Sequence, residues 1–589
     1  MNARPDMLDT PIGIKTEKQI EKCLESLRQL ESNLWAGEIN DHAISNFQQA
    51  FRDYESLLAE HSSADTRAHF IIAIPVADRP EQLQNCLQSI LRLCELYMYG
   101  GFHDGFYTKV SILIADDSAD QKNITHNQSL CQRYIESGLK VEYFGLAEQI
   151  KIVQSIPEAH WKVLGLALGD ITNELNRSNF SQKGASIMRN IAYLRLREIT
   201  ANHDNSLVYF IDSDQEFCVN LQDINEEKNI YAINYFHHIN EIFSNTKTEI
   251  LTGKVVGDPP VSPSVMAGKF LDDVIAFTQQ ISQVVPESNC EFHASQLNLD
   301  DASYHDMATL FGFNATDKTH EYHCTLPDEH SNHDCMLDFS SKLNNFFHGE
   351  HPTRNTQFAY SGSLCTTIPA RTVYTGNYVF KPESLKHHIA FADLHLRMAG
   401  PTLGRLLKAD IGDRFASANL PMLHNRTITS TGQSEFRKHI EQTSDHVDLS
   451  GEFELQYFGD IMLFTIIELT RDGFPQETLS TEKIDCTLQA TEQKIHQQYI
   501  EKHNHILNQV RHLQSLIKQP ENWWRSETDS LIQKNLSIFI QNILHNFGEQ
   551  SKAYIMINDS DLKQHWLKKL RDAISQHKET SETWAVIFR

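Results

Sequence analysis

Five short runs rich in β-branched and aromatic residues alternate with segments of helical spacing, and this alternation constrains the chain more than any other feature. The runs are Phe70–Val76, Val110–Ala115, Lys140–Phe144, Leu207–Ile211 and Glu249–Val256. Brief continuous apolar runs of this kind suit strands buried on both faces of a parallel sheet. Between the first two, Pro80 sits where a helix tolerates a missing N–H, and Leu83, Leu87, Ile90 and Leu91 form an apolar stripe. Further helices are predicted over 121–137, 184–199 and 228–244. Strand–helix repetition predicts an α/β fold: a Rossmann-like, mainly parallel sheet with helices on both faces. Two runs close on acidic residues, Asp116-Asp117-Ser118 and Asp212-Ser213-Asp214. Open α/β sheets bind ligands at that carboxyl edge.

The rest of the chain has a different texture. Residues 14–60 read as helix, with Leu24, Leu27, Leu30 and Leu34 on one face, so 1–66 is taken as a helical N-terminal segment. The α/β domain then spans 67–434. It is interrupted at about 257–370 by an irregular insertion that opens on the turn-rich Gly257-Asp258-Pro259-Pro260-Val261-Ser262-Pro263. Strand texture returns at Thr372–Phe380. Residues 435–589 read as a helical C-terminal domain, with Leu507, Val510, Leu513 and Leu516 spaced for helix packing. Such helices suit homo-oligomer contacts, docking at a membrane edge or acceptor recognition.

Charge and cysteine usage narrow the partners. The 589 residues hold 77 acidic against 52 basic side chains, a formal charge of −25. Such a surface repels nucleic acid and anionic lipid. The ten cysteines include no CxxC pair, which favours a reducing compartment. No secretory signal pattern opens the sequence, and no run approaches the roughly 18 apolar residues of a membrane span. The expectation is a cytoplasmic protein without a transmembrane segment.

The chemistry concentrates at the acidic strand ends. Two carboxylates at Asp212 and Asp214 can share one divalent ion, Mn²⁺ or Mg²⁺, which prefers oxygen ligands and also binds phosphate oxygens. At Asp116-Asp117 a carboxylate can accept hydrogen bonds from a base or ribose, or cap the helix that follows. The insertion carries His305, His320, His323, Cys324, His330, His333, Cys335, His348 and His351. Of these, His330-x-x-His333-x-Cys335 with His323 or Cys324 offers zinc ligands at a spacing that matches no standard finger. The insertion, with His351-Pro352-Thr353-Arg354, is otherwise expected to shape an acceptor pocket. No GxxxxGK[ST], no GxGxxG opening a helix and no GxSxG elbow occurs, which disfavours nucleotide hydrolases, dehydrogenases and α/β-hydrolases.

Taken in order, Ile74-Pro75-Val76, Ile114-Ala115-Asp116-Asp117-Ser118, Gly184 with Arg189-Asn190, and Phe210-Ile211-Asp212-Ser213-Asp214 resemble the family 2 glycosyltransferases and related GT-A enzymes. The likeness covers roughly 69–256 and extends more loosely to about 430. It implies a metal-dependent glycosyltransferase that moves a sugar from a nucleotide-diphosphate-sugar donor to a hydroxyl-bearing acceptor. By carry-over, Pro75 lies at the nucleotide, and Asp116 or Asp117 binds base or ribose. Arg189 then lies near the phosphates or sugar, while Asp212 and Asp214 hold the metal and donor. Asn377 belongs to the acceptor-side strand, and Asp393 stands in as base. The family's usual Glu-Asp pair is replaced here by Ala390 and Phe391. His424 resembles a third metal ligand, with Arg426 meeting the phosphates. Two rivals share the fold. A sugar-phosphate nucleotidyltransferase normally has a glycine-rich loop where this chain has Pro75-Val76-Ala77-Asp78-Arg79-Pro80. A non-catalytic GT-A-like scaffold would bind no metal-nucleotide.

Overall fold

All five predicted strands form, and all lie in one nine-stranded sheet. The structure, a computed structural model, describes residues 11–588. Excepted are 38, 62–64, 171–179, 223–226, 259–261, 294–321, 325, 327–328, 351, 354–357, 359, 361, 375, 426, 429–432, 435–440, 443–445 and 526–529. His305, His320, His351, Arg354 and Arg426 therefore lie outside the described residues.

The sheet strands are β1 (His69–Val76), β2 (Val110–Asp116), β3 (Lys140–Phe144), β4 (Ser206–Ile211) and β5 (Gln215–Glu216). They continue with β6 (Ile250–Gly257), β7 (Thr367–Pro369), β8 (Asn377–Phe380) and β9 (Phe415–His424). Their order is β7-β9-β6-β8-β4-β1-β2-β3, with β5 paired to the end of β9. Strands β1 to β4 run parallel, as do β6 and β9, while β8 runs antiparallel between β4 and β6.

Fifteen α-helices of eight or more residues occur among the described residues. They are α1 (Pro11–Ala36), α2 (Asp41–His61), α3 (Pro80–Tyr97), α4 (Gln121–Glu136), α5 (Leu146–Gln154), α6 (Glu158–Leu168), α7 (Ala185–Thr200) and α8 (Tyr235–Asn245). The second half comprises α9 (Pro263–Ile281), α10 (Asn332–Lys342), α11 (Ala399–Ile411), α12 (Ser450–Arg471), α13 (Thr481–Ile517), α14 (Ser530–Phe547) and α15 (Ser560–Ile587).

Strand alternation divides the core. Ile72, Ile74, Ile112, Ile114, Tyr209 and Ile211 face one side, where Phe47 and Phe51 of α2, Leu87 of α3 and Phe236 of α8 cover them. Ile71, Ala73, Leu113, Val208 and Phe210 face the other, against Leu164 of α6, Ile191 of α7 and Leu403 of α11. The N-terminal helices are thus part of the sheet's cover.

A third core lies away from the sheet. Phe270 of α9 and Phe339 of α10 pack with Tyr457, Leu513, Phe539 and Leu570 of the C-terminal helices. The insertion, irregular in sequence, thus contributes two helices to the C-terminal bundle. Ser262 caps α9 by accepting from the Ser264 N–H, and Pro263 opens its first turn. The bundle is tied back to the sheet domain by α15. Trp584, fully buried, donates its indole N–H to the Leu385 carbonyl at 2.9 Å, and Thr580 Oγ1 donates to Val163 O at 3.0 Å. Two local expectations also change. Residues 227–230 form a short strand paired with 219–222 before α8 begins, and the strand expected from Thr372 starts only at Asn377.

No helix among the described residues is long and apolar enough to cross a membrane.

Candidate functional site

The carboxyl ends of β1, β2 and β4 bring three charged segments to one edge, and β9 adds a fourth. At the end of β4 a tight turn, closed by Gln215 N–H to Asp212 O at 3.1 Å, carries Asp212-Ser213-Asp214. Gln215 Oε1 accepts from the Asp212 N–H at 3.0 Å and holds the turn from beneath. Gly376, on the approach to β8, presses on it: a Cβ there would stand 2.4 Å from Asp212 Oδ2. An added Cβ would have to displace the Asp212 carboxylate and the Gln215 amide.

Each carboxylate of the turn meets an arginine. Arg189, buried in the first turns of α7, donates from Nη2 to Asp212 Oδ1. Arg79, just ahead of α3, places Nη1 at 3.2 Å from Asp214 Oδ2. The Asp212 side chain keeps 30 % of its surface open, whereas Asp214 keeps 6 %. The packed protein around Asp212 raises its pKa; Arg189 opposes that rise and Asp214 adds to it.

His424, at the end of β9, reaches the same carboxylate as Arg79. Its Nε2 lies 3.4 Å from Asp214 Oδ2, and its Nδ1 is in hydrogen-bond contact with the Asp258 carbonyl. A carbonyl can only accept, so Nδ1 carries the proton and Nε2 is the nitrogen turned to Asp214. An imidazole nitrogen against a carboxylate oxygen calls for a proton or a cation between them. Oxygen and imidazole donors suit Mn²⁺, and two ligands of one octahedral ion stand roughly 3 Å apart. Asp214 and His424 therefore fit a divalent ion. Asp212 is turned to Arg189, and the three ligand atoms do not all gather within 4.8 Å of one another.

At the end of β2 the neighbouring aspartates divide their work. Asp116 is 1 % exposed, and its carboxylate accepts from Ser118 N, Asn127 Nδ2 and Tyr143 OH, each at 2.8 Å. It braces the loop from within. Asp117 is paired with Lys183 Nζ at 2.5 Å, and both are buried. Burial pushes the Asp117 pKa up, and Lys183 pulls it back. Asp78, left-handed at φ 55°, ties this loop to the first: it accepts from Ala119 N, Asp120 N and Gln182 Nε2. Pro75 lies between them, half-buried and in register with Ala115.

Asn377 and Asp393 occupy other surroundings. Asn377 is 1 % exposed; its amide donates to Lys254 O and Leu420 O, and its oxygen accepts from Tyr209 OH. It locks β8 against β6 and β9 beside the acidic turn. Asp393 sits in a 3₁₀ turn, Ala392–Leu394. Burial raises its pKa to about 6, against a weak pull from Lys569 of α15. His395, two residues on and also left-handed, approaches the ligand edge: a Cβ on Gly184 would meet its Nδ1 at 3.0 Å. Gly184 itself has φ 92° and starts α7 directly after Lys183.

Of the residues singled out in the sequence, the structure brings Arg189 to Asp212 and His424 to Asp214, and it pairs Asp117 with Lys183. Sequence reasoning missed Arg79, Lys183 and His395, which stand beside motif positions but carry no pattern of their own. A cavity of about 960 Å³ opens at the opposite edge of the sheet, lined by Ala68, Asn205, Ser206, Lys381 and Phe588, and does not include the acidic turn.

No known protein family matches this chain, and no curated protein does. Among solved structures it is similar to the mannosyltransferase PcManGT from Pyrobaculum calidifontis in complex with GDP-Man and Mn²⁺. The identity is 8 %, over 89 % of this chain and 100 % of that one, with a TM-score of 0.29. A likeness that loose assigns no family.

Proposed function

We propose that this chain is a hexosyl-type glycosyltransferase that takes a nucleotide-diphosphate-sugar as donor and a hydroxyl-bearing molecule as acceptor. One observation carries the reading: Arg79 from the loop between β1 and α3, and Lys183 and Arg189 from the start of α7, come to the carboxyl edge of one mainly parallel sheet, each paired there with an aspartate. Such arginines can exchange a carboxylate for a phosphate oxygen, because the guanidinium fork suits both. Asp117 and Lys183 then stand at the nucleoside end, and Arg79 and Arg189 at the diphosphate. Asp214 and His424, with Asp212, would hold Mn²⁺ or Mg²⁺, which neutralises charge on a departing diphosphate.

An acceptor hydroxyl must lose its proton as the sugar moves. Asp393, with its pKa near 6, is ionised at neutral pH and can take that proton if the acceptor reaches it. His395, whose ring lies beside Gly184 at the start of α7, is the alternative acceptor of that proton.

The test is a thermal-shift panel of UDP-, GDP-, CMP- and dTDP-sugars with and without Mn²⁺, on wild type and Asp214→Ala. The reading expects one donor to stabilise the wild type only with metal, and to leave the variant unchanged. Stabilisation of both proteins alike contradicts it.

A further inference from the structure

Two short segments flanking residues 294–321 meet through main-chain hydrogen bonds, and their side chains form a compact Cys–His cluster far in sequence from the acidic edge. Cys290 N–H donates to His330 O at 2.8 Å, Cys324 N–H to Phe292 O at 3.0 Å, and Asn332 N–H to Ser288 O at 2.9 Å. Asn332 adds its side chain, donating to Val285 O at 2.9 Å and accepting from Glu291 N–H at 3.0 Å. The frame is therefore set by backbone pairing and by the capped start of α10, where Ser331 and Asp334 form a reciprocal capping box.

On this frame the ligand atoms of Cys290, His293, Cys324 and His330 all lie within 4.8 Å of one another. Cys324 Sγ and His330 Nε2 are 3.2 Å apart, and the His293 and His330 rings have centroids 4.7 Å apart. Zinc–sulfur and zinc–nitrogen bonds of about 2.3 and 2.0 Å place tetrahedral ligands about 3.3–3.8 Å from each other. The cluster is thus near the size of a zinc shell. Cys335, fully buried, holds its thiol in hydrogen-bond contact with both Cys290 and Cys324.

We propose that Cys290, His293, Cys324 and His330 bind a structural Zn²⁺ ion. Two thiolates and two imidazoles are the soft and borderline donors that zinc selects over the oxygen-preferring Mn²⁺ or Mg²⁺. Four protein ligands leave no open position, so the ion is structural. Cys335 is a neighbour to the sulfurs and completes no fourth corner. Two ligands come from residues 290–293 and two from 324–330, so the ion ties these two described stretches together. It also joins the end of α9 to the start of α10. Binding displaces the two thiol protons to solvent and changes no oxidation state. The proposal rests on none of the acidic-edge residues.

The experiment is metal analysis of the full-length protein purified in reducing, chelator-free buffer. The expectation is about one zinc per chain, retained by Cys335→Ser and lost in Cys290→Ser and His330→Ala. Where a variant fails to fold, the wild type is stripped with chelator and titrated with Co²⁺. A tetrahedral cobalt spectrum with thiolate charge-transfer bands is expected, abolished by prior zinc. Wild type that carries no zinc and binds neither Zn²⁺ nor Co²⁺ overturns the proposal. So does an intact mass showing a disulfide among Cys290, Cys324 and Cys335, and so does loss of zinc in Cys335→Ser.

Discussion

Replacing Asp393 with asparagine should make the protein more stable and less active, and the size of the first effect follows from where the carboxylate sits. Burial raises its pKa from 3.8 to about 6. A carboxyl that is harder to ionise when folded binds protons more tightly in the folded state. Its contribution therefore favours folding below the unfolded pKa and turns against it as pH rises through the folded value. A rise of that size corresponds to a ceiling of about 3 kcal/mol near neutral pH, and partial solvent access reduces this to about 1–2 kcal/mol. Asparagine removes the ionisation and keeps the shape. Urea unfolding of wild type and Asp393→Asn, followed by tryptophan fluorescence from about pH 4 to 7.5, reads the difference directly. The two should coincide near pH 4 and diverge as pH climbs to about 6, the variant becoming the more stable. If Asp393 also takes the acceptor's proton, donor turnover in the variant falls by roughly 100-fold or more. A variant less stable than wild type at neutral pH refutes the burial argument. Full activity alongside increased stability refutes the catalytic role alone and moves attention to His395.

Two further substitutions probe the ligand edge. Gly376→Ala should push the Asp212 carboxylate off Arg189 while costing little stability, about 1 kcal/mol, because the atoms it meets belong to side chains. Donor affinity by calorimetry should drop at least tenfold, and unchanged affinity would show that the turn's geometry is irrelevant to binding. Lys183→Met strands a buried Asp117 and should destabilise by about 3–5 kcal/mol, with Asp117→Asn in the same chain restoring most of the loss. Additive losses in the double variant would mean that the pair does not interact.

Much of the sheet is legible in the sequence because its strands are buried on both faces and read as unbroken apolar runs. The acidic turn is visible because it follows such a run directly. The α9 helix escapes for a definite reason. Asp258-Pro259-Pro260-Val261-Ser262-Pro263 reads as turn punctuation, yet Ser262 and Pro263 are also an N-cap and first-turn pair. The apolar positions Met266, Phe270, Val274 and Phe277 that follow are helical in spacing and all buried. Short β8 is overextended in the sequence reading because Thr372–Phe380 is β-rich throughout, while only Asn377–Phe380 pairs with β4 and only Tyr378–Phe380 with β6. The hydrogen bonds by which Asn127 and Tyr143 reach back to Asp116 are not visible in the sequence, because they join separate elements. The Cys–His cluster is half visible: Cys324 and His330 stand out, whereas Cys290 and His293 join them only through the pairing of distant segments.

The central claim is that Asp214 and His424 face a cation that in turn meets a donor's diphosphate. Crystals grown with a nucleoside diphosphate and Mn²⁺, measured at the manganese absorption edge, address it most directly. The account predicts an anomalous peak between Asp214 and His424, with Arg79 or Arg189 released from its aspartate onto a phosphate oxygen. A manganese or nucleotide bound elsewhere, with both arginine–aspartate pairs intact, would contradict it.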